Sequence, residues 1–336
     1  MTGVHPGPRN ALTDVAGLLV GQAEDLAAWS GVTVVLAEPP ALACADVRGG
    51  SPETFNTDAL QWGGLSHVLH GLVFSGGSAF GLDAAGALNA WLAERGRGLR
   101  DWGACVPVVV GAAIFDLVNG GWKNWGTEPP YRRLAVAAAQ AASLDCRLGN
   151  AGAGYGAVAG TLKGGVGTAS VLDEASGVTV AALTVTNALG STTMPDTPTF
   201  WAWHLEQQGE LGGQRPPQAR PSQVLELKYQ PGLNTTVGVV ATDAVLDLEA
   251  LRRLAMMAHS GYGYAIRPVA TPLDGDVVFA LSTARRPLPR DPQALVRLGA
   301  LAADVVARSV MRGVYEAGDL GPHVSYRSRW AAVRHG

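Results

Sequence analysis

The chain has 336 residues, of which 47% are hydrophobic and 16% charged; this supplies a large buried core and excludes a disordered or fibrous chain. A formal net charge of −3 sets up no strong field toward DNA, RNA or an anionic membrane, so no nucleic acid and no membrane is expected as a partner. The length allows one or two domains, and large layered folds hold this many residues undivided.

Along the chain, Met1 to Asn10 shows no basic stretch followed by an apolar run, and no apolar run approaches the roughly 18 residues of a membrane span. Gly31 to Ala37 and Leu72 to Phe74 read as buried strands, short β-branched or aromatic runs bounded by Gly, Pro or Ser. Ser75-Gly76-Gly77-Ser78 then turns into a helix over Ala79 to Arg95, stopped by Gly96. A strand-like piece follows Pro107 to Gly111, and Tyr131 to Ser143 is an Ala-rich helix. Val178 to Thr186 is a strand that runs into Asn187. Residues 206–230, rich in Gln, Pro, Gly and charge, read as an exposed, mobile loop. Asn234 to Thr242 is a strong strand pattern at the far end of that loop. Leu248 to Ala258 is an amphipathic helix, Val277 to Leu281 a buried strand and Pro292 to Arg312 a long helix. The polar stretch 318–336 is expected to be partly disordered. Cys44, Cys105 and Cys146 are far apart and odd in number, which fits a reducing compartment, and a cytoplasmic protein is expected. Glycine, at 44 residues, implies many tight turns and close backbone approaches.

The chemistry concentrates at Pro231-Gly232-Leu233-Asn234-Thr235-Thr236-Val237-Gly238. Taken alone, Asn-Thr-Thr before an apolar run is an ordinary loop-to-strand transition. It also resembles the self-processing junction of the DmpA-like aminopeptidases, a family that includes β-aminopeptidases and endo-acting nylon-oligomer hydrolases. The Asn-Thr-Thr form is most similar to the nylon-oligomer branch. Five further segments resemble blocks of that family, in its order. They are Asp46-Val47-Arg48-Gly49-Gly50-Ser51-Pro52 with Thr57-Asp58, His70 to Ala85, Gly111 to Leu117, Lys163 to Gly167, and Asp274 to Ala280.

The resemblance, spanning roughly residues 10 to 315, implies a single α+β domain, a four-layer αββα sandwich like the N-terminal-nucleophile hydrolases and the ornithine acetyltransferases. It implies self-cleavage between Asn234 and Thr235 into an α chain 1–234 and a β chain 235–336, assembled as a homotetramer. A threonine hydroxyl is a weak nucleophile, but an amino-terminal threonine carries its own base, an α-amine with a reference pKa near 8. On the same footing Lys163 lies near the nucleophile and Asn187 stabilises the oxyanion, where one such donor is worth about 3 to 4 kcal/mol. Asp274 and Asp276, two apart at the mouth of a strand, share a face if the strand extends there and hold the ammonium and hydroxyl of Thr235. Without the family, Lys163 is a surface lysine, Asn187 a turn residue and Asp274-Gly275-Asp276 a solvated turn. Trp122 and Trp125 are candidates for a substrate wall, although most of the nine tryptophans are packing groups.

The expected reaction is hydrolysis of a linear amide, such as a 6-aminohexanoate oligomer or a small peptide, through a threonyl ester and without metal or organic cofactor. Two other site readings are weaker. Gly154-Tyr155-Gly156-Ala157-Val158-Ala159 fits a loose dinucleotide pattern but lacks the helix that would hold a pyrophosphate. His67 and His70 have a helical metal spacing and no further ligand motif beside them. An acyltransferase on the same architecture is opposed by the aspartate pair, and an unprocessed scaffold protein by the intact Asn234-Thr235 junction.

Overall fold

The computed structural model describes residues 3–331 apart from 62, 65–66, 101–102, 218–220, 223, 225–226, 229–233 and 290. Its amino-terminal half holds β1 (Val4–His5), β2 (Leu18–Asp25), β3 (Ser30–Val47), β4 (Thr54–Phe55), β5 (Val68–Ser75), α1 (Asp83–Glu94), β6 (Val109–Ala113) and α2 (Tyr131–Gln140). Next come β7 (Val158–Ala159), β8 (Leu162–Lys163), β9 (Gly165–Asp173), β10 (Val178–Asn187) and β11 (Thr235–Ala244). The chain closes with α3 (Leu248–Ala258), α4 (Ser260–Ala265), β12 (Val277–Arg286), α5 (Pro292–Tyr315) and α6 (Tyr326–Arg329).

Hydrogen bonding links ten strands in the order β1-β9-β10-β11-β12-β3-β5-β6-β4, with β2 on the other edge of β3. The side chains resolve this path into two stacked layers. Along β11, Val237, Val239 and Ala241 face the same core as Leu72 and Phe74 of β5, while Val240 faces the opposite way. Phe74 and Phe279 meet across the layers with ring centroids 6.1 Å apart. Outside one layer α3, α4 and α5 pack on β9 to β12, and outside the other α1 and α2 pack on β2, β3 and β5. Three apolar cores between four layers make the αββα sandwich, its strands buried on both faces as their near-continuous apolar runs require.

β3 is what joins the layers. It runs past the expected end at Ala37 because residues 30–37 pair with β2 while Leu42 to Val47 pair with β12. Pro39 and Pro40 fall in the register shift against β5, exposed, where a missing N–H costs no ladder bond. The helix expected from Ala79 begins as a 3-10 turn over Ser78–Leu82 and becomes α-helical at Asp83. Asp247 and Asp291 cap α3 and α5, accepting from Ala250 and Gln293 N–H, so both starts fall where the sequence places them.

Composition misleads in two places. The start of the stretch read as an exposed loop is packed: Leu211 is fully buried, and the Glu210 carboxylate pairs with the buried Arg308 guanidinium at 2.6 Å. Its polar residues look solvated in sequence because their partners lie about 100 to 200 positions away. Residues 218–220, 223, 225–226 and 229–230 of that stretch lie outside the described residues. In the segment from Gly318 read as a partly disordered tail, Tyr326 is buried and stacks on Phe200 at 4.7 Å; residues 332–336 lie outside the described residues. Among the described residues no helix is long and apolar enough to cross a membrane.

Candidate active site

Thr235 opens β11 and is 1% exposed, as is Asn234 before it. The junction sits where three adjacent strands end. On one side Thr235 is the register partner of Asn187, the last residue of β10. On the other, Asn234 bridges to Asp274, its N–H donating to Leu273 O at 2.8 Å and its carbonyl accepting the N–H of Gly275 at 2.7 Å. Both flanks of the Asn234-Thr235 peptide are therefore fixed by backbone pairing.

Segment 274–276 precedes β12, which begins at Val277, and it lies against the turn after β3. There Ser51 N–H donates to Asp274 O at 2.9 Å and Arg48 N–H to Asp276 O at 3.0 Å. A Cβ on Gly49 would stand 2.2 Å from Asp276 N, so only glycine allows this approach. The two carboxylates are buried and gather backbone donors from different segments. Asp276 accepts Thr236 N–H at 2.7 Å and Ala270 N–H at 2.8 Å. Asp274 accepts Leu189 N–H at 3.3 Å and both the N–H, at 3.1 Å, and the hydroxyl, at 2.5 Å, of Thr271. Burial, reinforced by the charge of Asp274, pushes the Asp276 carboxyl up to about 7 against the pull of its amide donors.

Lys163 ends β8 with no exposed surface. Its Nζ donates to Gly164 O at 2.8 Å and Gly154 O at 3.1 Å, which turns the glycine-rich stretch with the dinucleotide-like pattern into an amine cradle. Burial lowers its pKa to about 7, with Asp116 pulling upward and Lys228 pushing further down. Lys163 pairs with Val158, whose N–H donates to Asn187 Oδ1 at 3.0 Å, and Asn187 Nδ2 donates to Phe115 O at 3.0 Å. Thr235, Asn187, Lys163, Asp274 and Asp276 are thus brought to one end of the central strands.

Trp122 and Trp125 are not brought there. Trp122 is 58% exposed, and Trp125 packs edge-on to Phe80 and Tyr131 near the helix layer. The pocket beside the junction is lined instead by Asp116, Asn119, Asn187, Lys228, Asn234 and His323, among others. Asp116 is held by Gly77 N–H at 2.8 Å and the Ser30 hydroxyl at 2.7 Å, and its burial raises the carboxyl pKa. Its signal in sequence is a charge inside the apolar run Ile114-Phe115-Asp116-Leu117. His323 reaches Asn119 O through Nε2 at 2.9 Å, and Val324 O accepts Lys163 N–H at 2.8 Å, so the carboxy-terminal segment closes the floor of the site. Nothing local marks Lys228 or His323, which sit in polar stretches and arrive only by tertiary folding.

A sequence model of peptidase family S58 matches residues 10–324. An uncharacterized aminopeptidase of Mycobacterium tuberculosis is 40% identical over 341 residues, covering 95% of this chain and 97% of the relative. A 6-aminohexanoate-oligomer endohydrolase of a Kocuria species is 27% identical over 315 residues, covering 89% of this chain and 84% of the relative. Among solved structures, the L-aminopeptidase D-Ala-esterase/amidase of Ochrobactrum anthropi, described as a variant of the Ntn-hydrolase fold, superposes with a TM-score of 0.71. That match is 22% identical and covers 100% of this chain and 96% of the other.

Proposed function

Since the chain belongs to peptidase family S58 and is a hydrolase of peptide or amide bonds, we propose that it cuts itself between Asn234 and Thr235 and then works through Thr235 as an amino-terminal nucleophile. The observation that carries this reading is the junction itself. A hydroxyl residue begins a central buried strand, and the carbonyl before it is already hydrogen-bonded to Gly275 N–H.

In self-cleavage the Thr235 hydroxyl attacks the Asn234 carbonyl carbon and the oxygen gains charge against Gly275 N–H. Lys163, an amine whose pKa burial brings to about 7, takes the hydroxyl proton, directly or through water. Lys163 then passes that proton to the nitrogen of Thr235, the C–N bond breaks, the nitrogen leaves as an amine, and an ester joins Asn234 to the threonine oxygen. Water hydrolyses that ester to the Asn234 carboxylate and a free hydroxyl. In turnover the freed α-amine serves as base for the hydroxyl, Asn187 donates to the oxyanion, and Asp274 and Asp276 hold the new ammonium. The substrates are small linear amides, oligoamides such as 6-aminohexanoate oligomers or short peptides, and the assembly is a homotetramer.

A denaturing gel with amino-terminal sequencing tests the first step. Scaling 34.7 kDa by 234/336 and 102/336 gives bands of about 24 and 11 kDa, the smaller beginning Thr-Thr-Val-Gly. A persistent full-length band that still hydrolyses amides would overturn the proposal. Incubation of the matured protein with 6-aminohexanoate oligomers, α-amino-acid amides and β-amino-acid amides assigns the substrate, and light scattering reads the assembly.

A further inference from the structure

Two lysines meet at one side-chain amide. Asn187 Oδ1 accepts the Val158 N–H at 3.0 Å and the Lys228 ammonium at 3.0 Å. Val158 is the register partner of Lys163, so the first of these donors belongs to the hairpin that carries the proposed base. With two donors on Oδ1, the amide has one way round: Nδ2 turns to Phe115 O, 3.0 Å away. Lys228 is also tied down through its backbone. Its N–H donates to Leu189 O at 2.9 Å, and Leu189 N–H in turn donates to Asp274 at 3.3 Å. Asn187 is the register partner of Thr235, and Lys228 lies six residues before Asn234, on the acyl side of the bond to be cut. The segment leading to the junction thus places an ammonium in the same pocket as Asn234.

We infer that Lys228 is a positioning residue for self-cleavage, holding the Asn187 amide and setting the charge beside which Lys163 acts. The inference rests on the reading of Lys163 as the base of that step. A base must be uncharged when it takes the Thr235 proton, and a second ammonium in a low-dielectric pocket opposes charge on the first. Burial does most to lower the Lys163 pKa, Asp116 pulls it back up, and Lys228 pushes it down again. Burial brings Lys228 itself to about 8, against the pull of Asp116 and Asp274, so it carries its charge at pH 7. Asp116 faces both amines from the loop after β6, and Asp274 faces Lys228 from the turn before β12. His323 lies near both lysines on the carboxy-terminal segment; burial, joined by the two ammonium charges, lowers its pKa and keeps the ring neutral at pH 7. Lys228 therefore supplies the positive charge that Lys163 meets, and the chain carries into the pocket, on its own uncut segment, a group that favours the cut.

The test follows conversion of freshly prepared full-length precursor to two chains between pH 5 and 9, for the wild type, Lys228→Gln and Lys228→Arg. Glutamine keeps a donor for Asn187 Oδ1 and has no charge, whereas arginine keeps the charge at every pH used. Lys228→Gln is expected to move the midpoint of the rate against pH upward by at least about half a unit, slowing conversion at pH 7 and approaching the wild-type rate at pH 9. Lys228→Arg is expected to keep the wild-type midpoint. A structural role alone would lower the rate equally at every pH and leave the midpoint in place. A midpoint unmoved in Lys228→Gln, or moved equally in Lys228→Arg, overturns the inference. Should Lys228→Gln convert at no pH, conversion of Lys228→Arg supports the role of the charge, and failure of both overturns it. A wild-type protein that yields no chain beginning at Thr235 is the separate failure of the nucleophile reading.

Discussion

The N–H of Gly275 lies 2.7 Å from the carbonyl oxygen of Asn234, and a side chain at 275 would project toward the Thr235 hydroxyl, its Cβ 2.8 Å from Oγ1. One glycine thus contacts both partners of the proposed self-cleavage, the carbonyl to be attacked and the oxygen that attacks.

Gly275→Ala should for that reason block maturation more than it harms the fold. The added carbon also meets Ser51 O at 2.6 Å, a backbone atom that cannot swing aside. Overpacking of this kind costs about 1–3 kcal/mol, whereas a displacement of the attacking oxygen by about 1 Å costs on the order of 10²-fold in rate. The expected result is a folded full-length chain that converts to two bands roughly 10²-fold more slowly. Conversion at the wild-type rate would remove Gly275 from the reaction.

Thr235→Ala removes the nucleophile without touching the backbone pairing of Thr235 to Asn187, so the protein should fold, remain at full length and turn over no amide. Thr235→Ser keeps a hydroxyl and should mature. A gel run over several hours distinguishes them, and two bands from Thr235→Ala would mean that another group cuts the chain.

Maturation should quicken as pH rises through about 7. Lys163 must lose its proton to act as a base, and burial places that loss at about 7. Burial and the charge of Asp274 put ionisation of Asp276 at about 7 as well, so both changes run in the same direction. Lys163→Arg keeps a group that stays charged at every accessible pH and should therefore fail to mature across the range. The conversion rate of freshly prepared precursor between pH 5 and 9 is the measurement, and a flat profile would exclude Lys163 as the base.

Asn187→Ala should separate chemistry from folding in another way. It leaves Val158 N–H, Phe115 O and the Lys228 ammonium without their present partner, a loss of about 1–3 kcal/mol per buried group left unpaired. It also removes the proposed oxyanion donor, for which kcat should fall by roughly 10²- to 10³-fold. Thermal unfolding read beside kcat checks both, and an unchanged kcat in the folded variant would assign Asn187 to structure alone.

The strands of the central layers were legible because they are buried on both faces: Gly31 to Ala37, Val178 to Asn187 and Thr235 to Thr242 are apolar runs that no helix-period pattern fits. Helices α3 and α5 were equally plain, each beginning at an aspartate cap. The site was legible only in part. Thr235 and Asn187 stand at strand ends that local pattern marks and Lys163 was singled out by the family resemblance alone, but Asp116, Lys228 and His323 reach the same pocket from 71, 41 and 136 positions away from Asn187, distances at which sequence periodicity carries no information. The glycine-rich stretch around Gly154 was visible as a motif and opaque as to purpose, since its carbonyl rather than its N–H groups does the binding. Composition failed outright at Glu210, whose charge suggests solvent while its partner Arg308 waits inside the core.

That last pair makes a stability prediction whose sign depends on pH. Arg308 is fully buried and donates from Nε and Nη2 to the two carboxylate oxygens of Glu210, at 2.6 and 2.8 Å, with further bonds to Asn10 Oδ1 and Ser170 O. Burial alone would raise the Glu210 carboxyl, and the guanidinium overrides it and holds the pKa below the usual range. A depressed carboxylate adds stability above its unfolded pKa and loses it as pH falls through the folded value. Arg308→Met inverts that relation. Glu210 keeps Arg312 at 3.5 Å and the donors Asn10 Nδ2 at 2.6 Å and Gln207 N–H at 3.3 Å, and at pH 7 the variant should be about 3–5 kcal/mol less stable, toward the lower end because these partners remain. In the variant burial dominates, so the carboxyl takes up a proton at higher pH than an exposed glutamate and thereby sheds its charge. The gap in melting temperature between wild type and variant should therefore narrow as pH falls from 7 to 4, because the variant relieves its buried charge; the wild-type pair is lost only at lower pH, as its depressed folded value is passed. A gap that stays constant over that range would mean that the volume of the arginine, and not its charge, holds this end of α5 against the loop that leads to the junction.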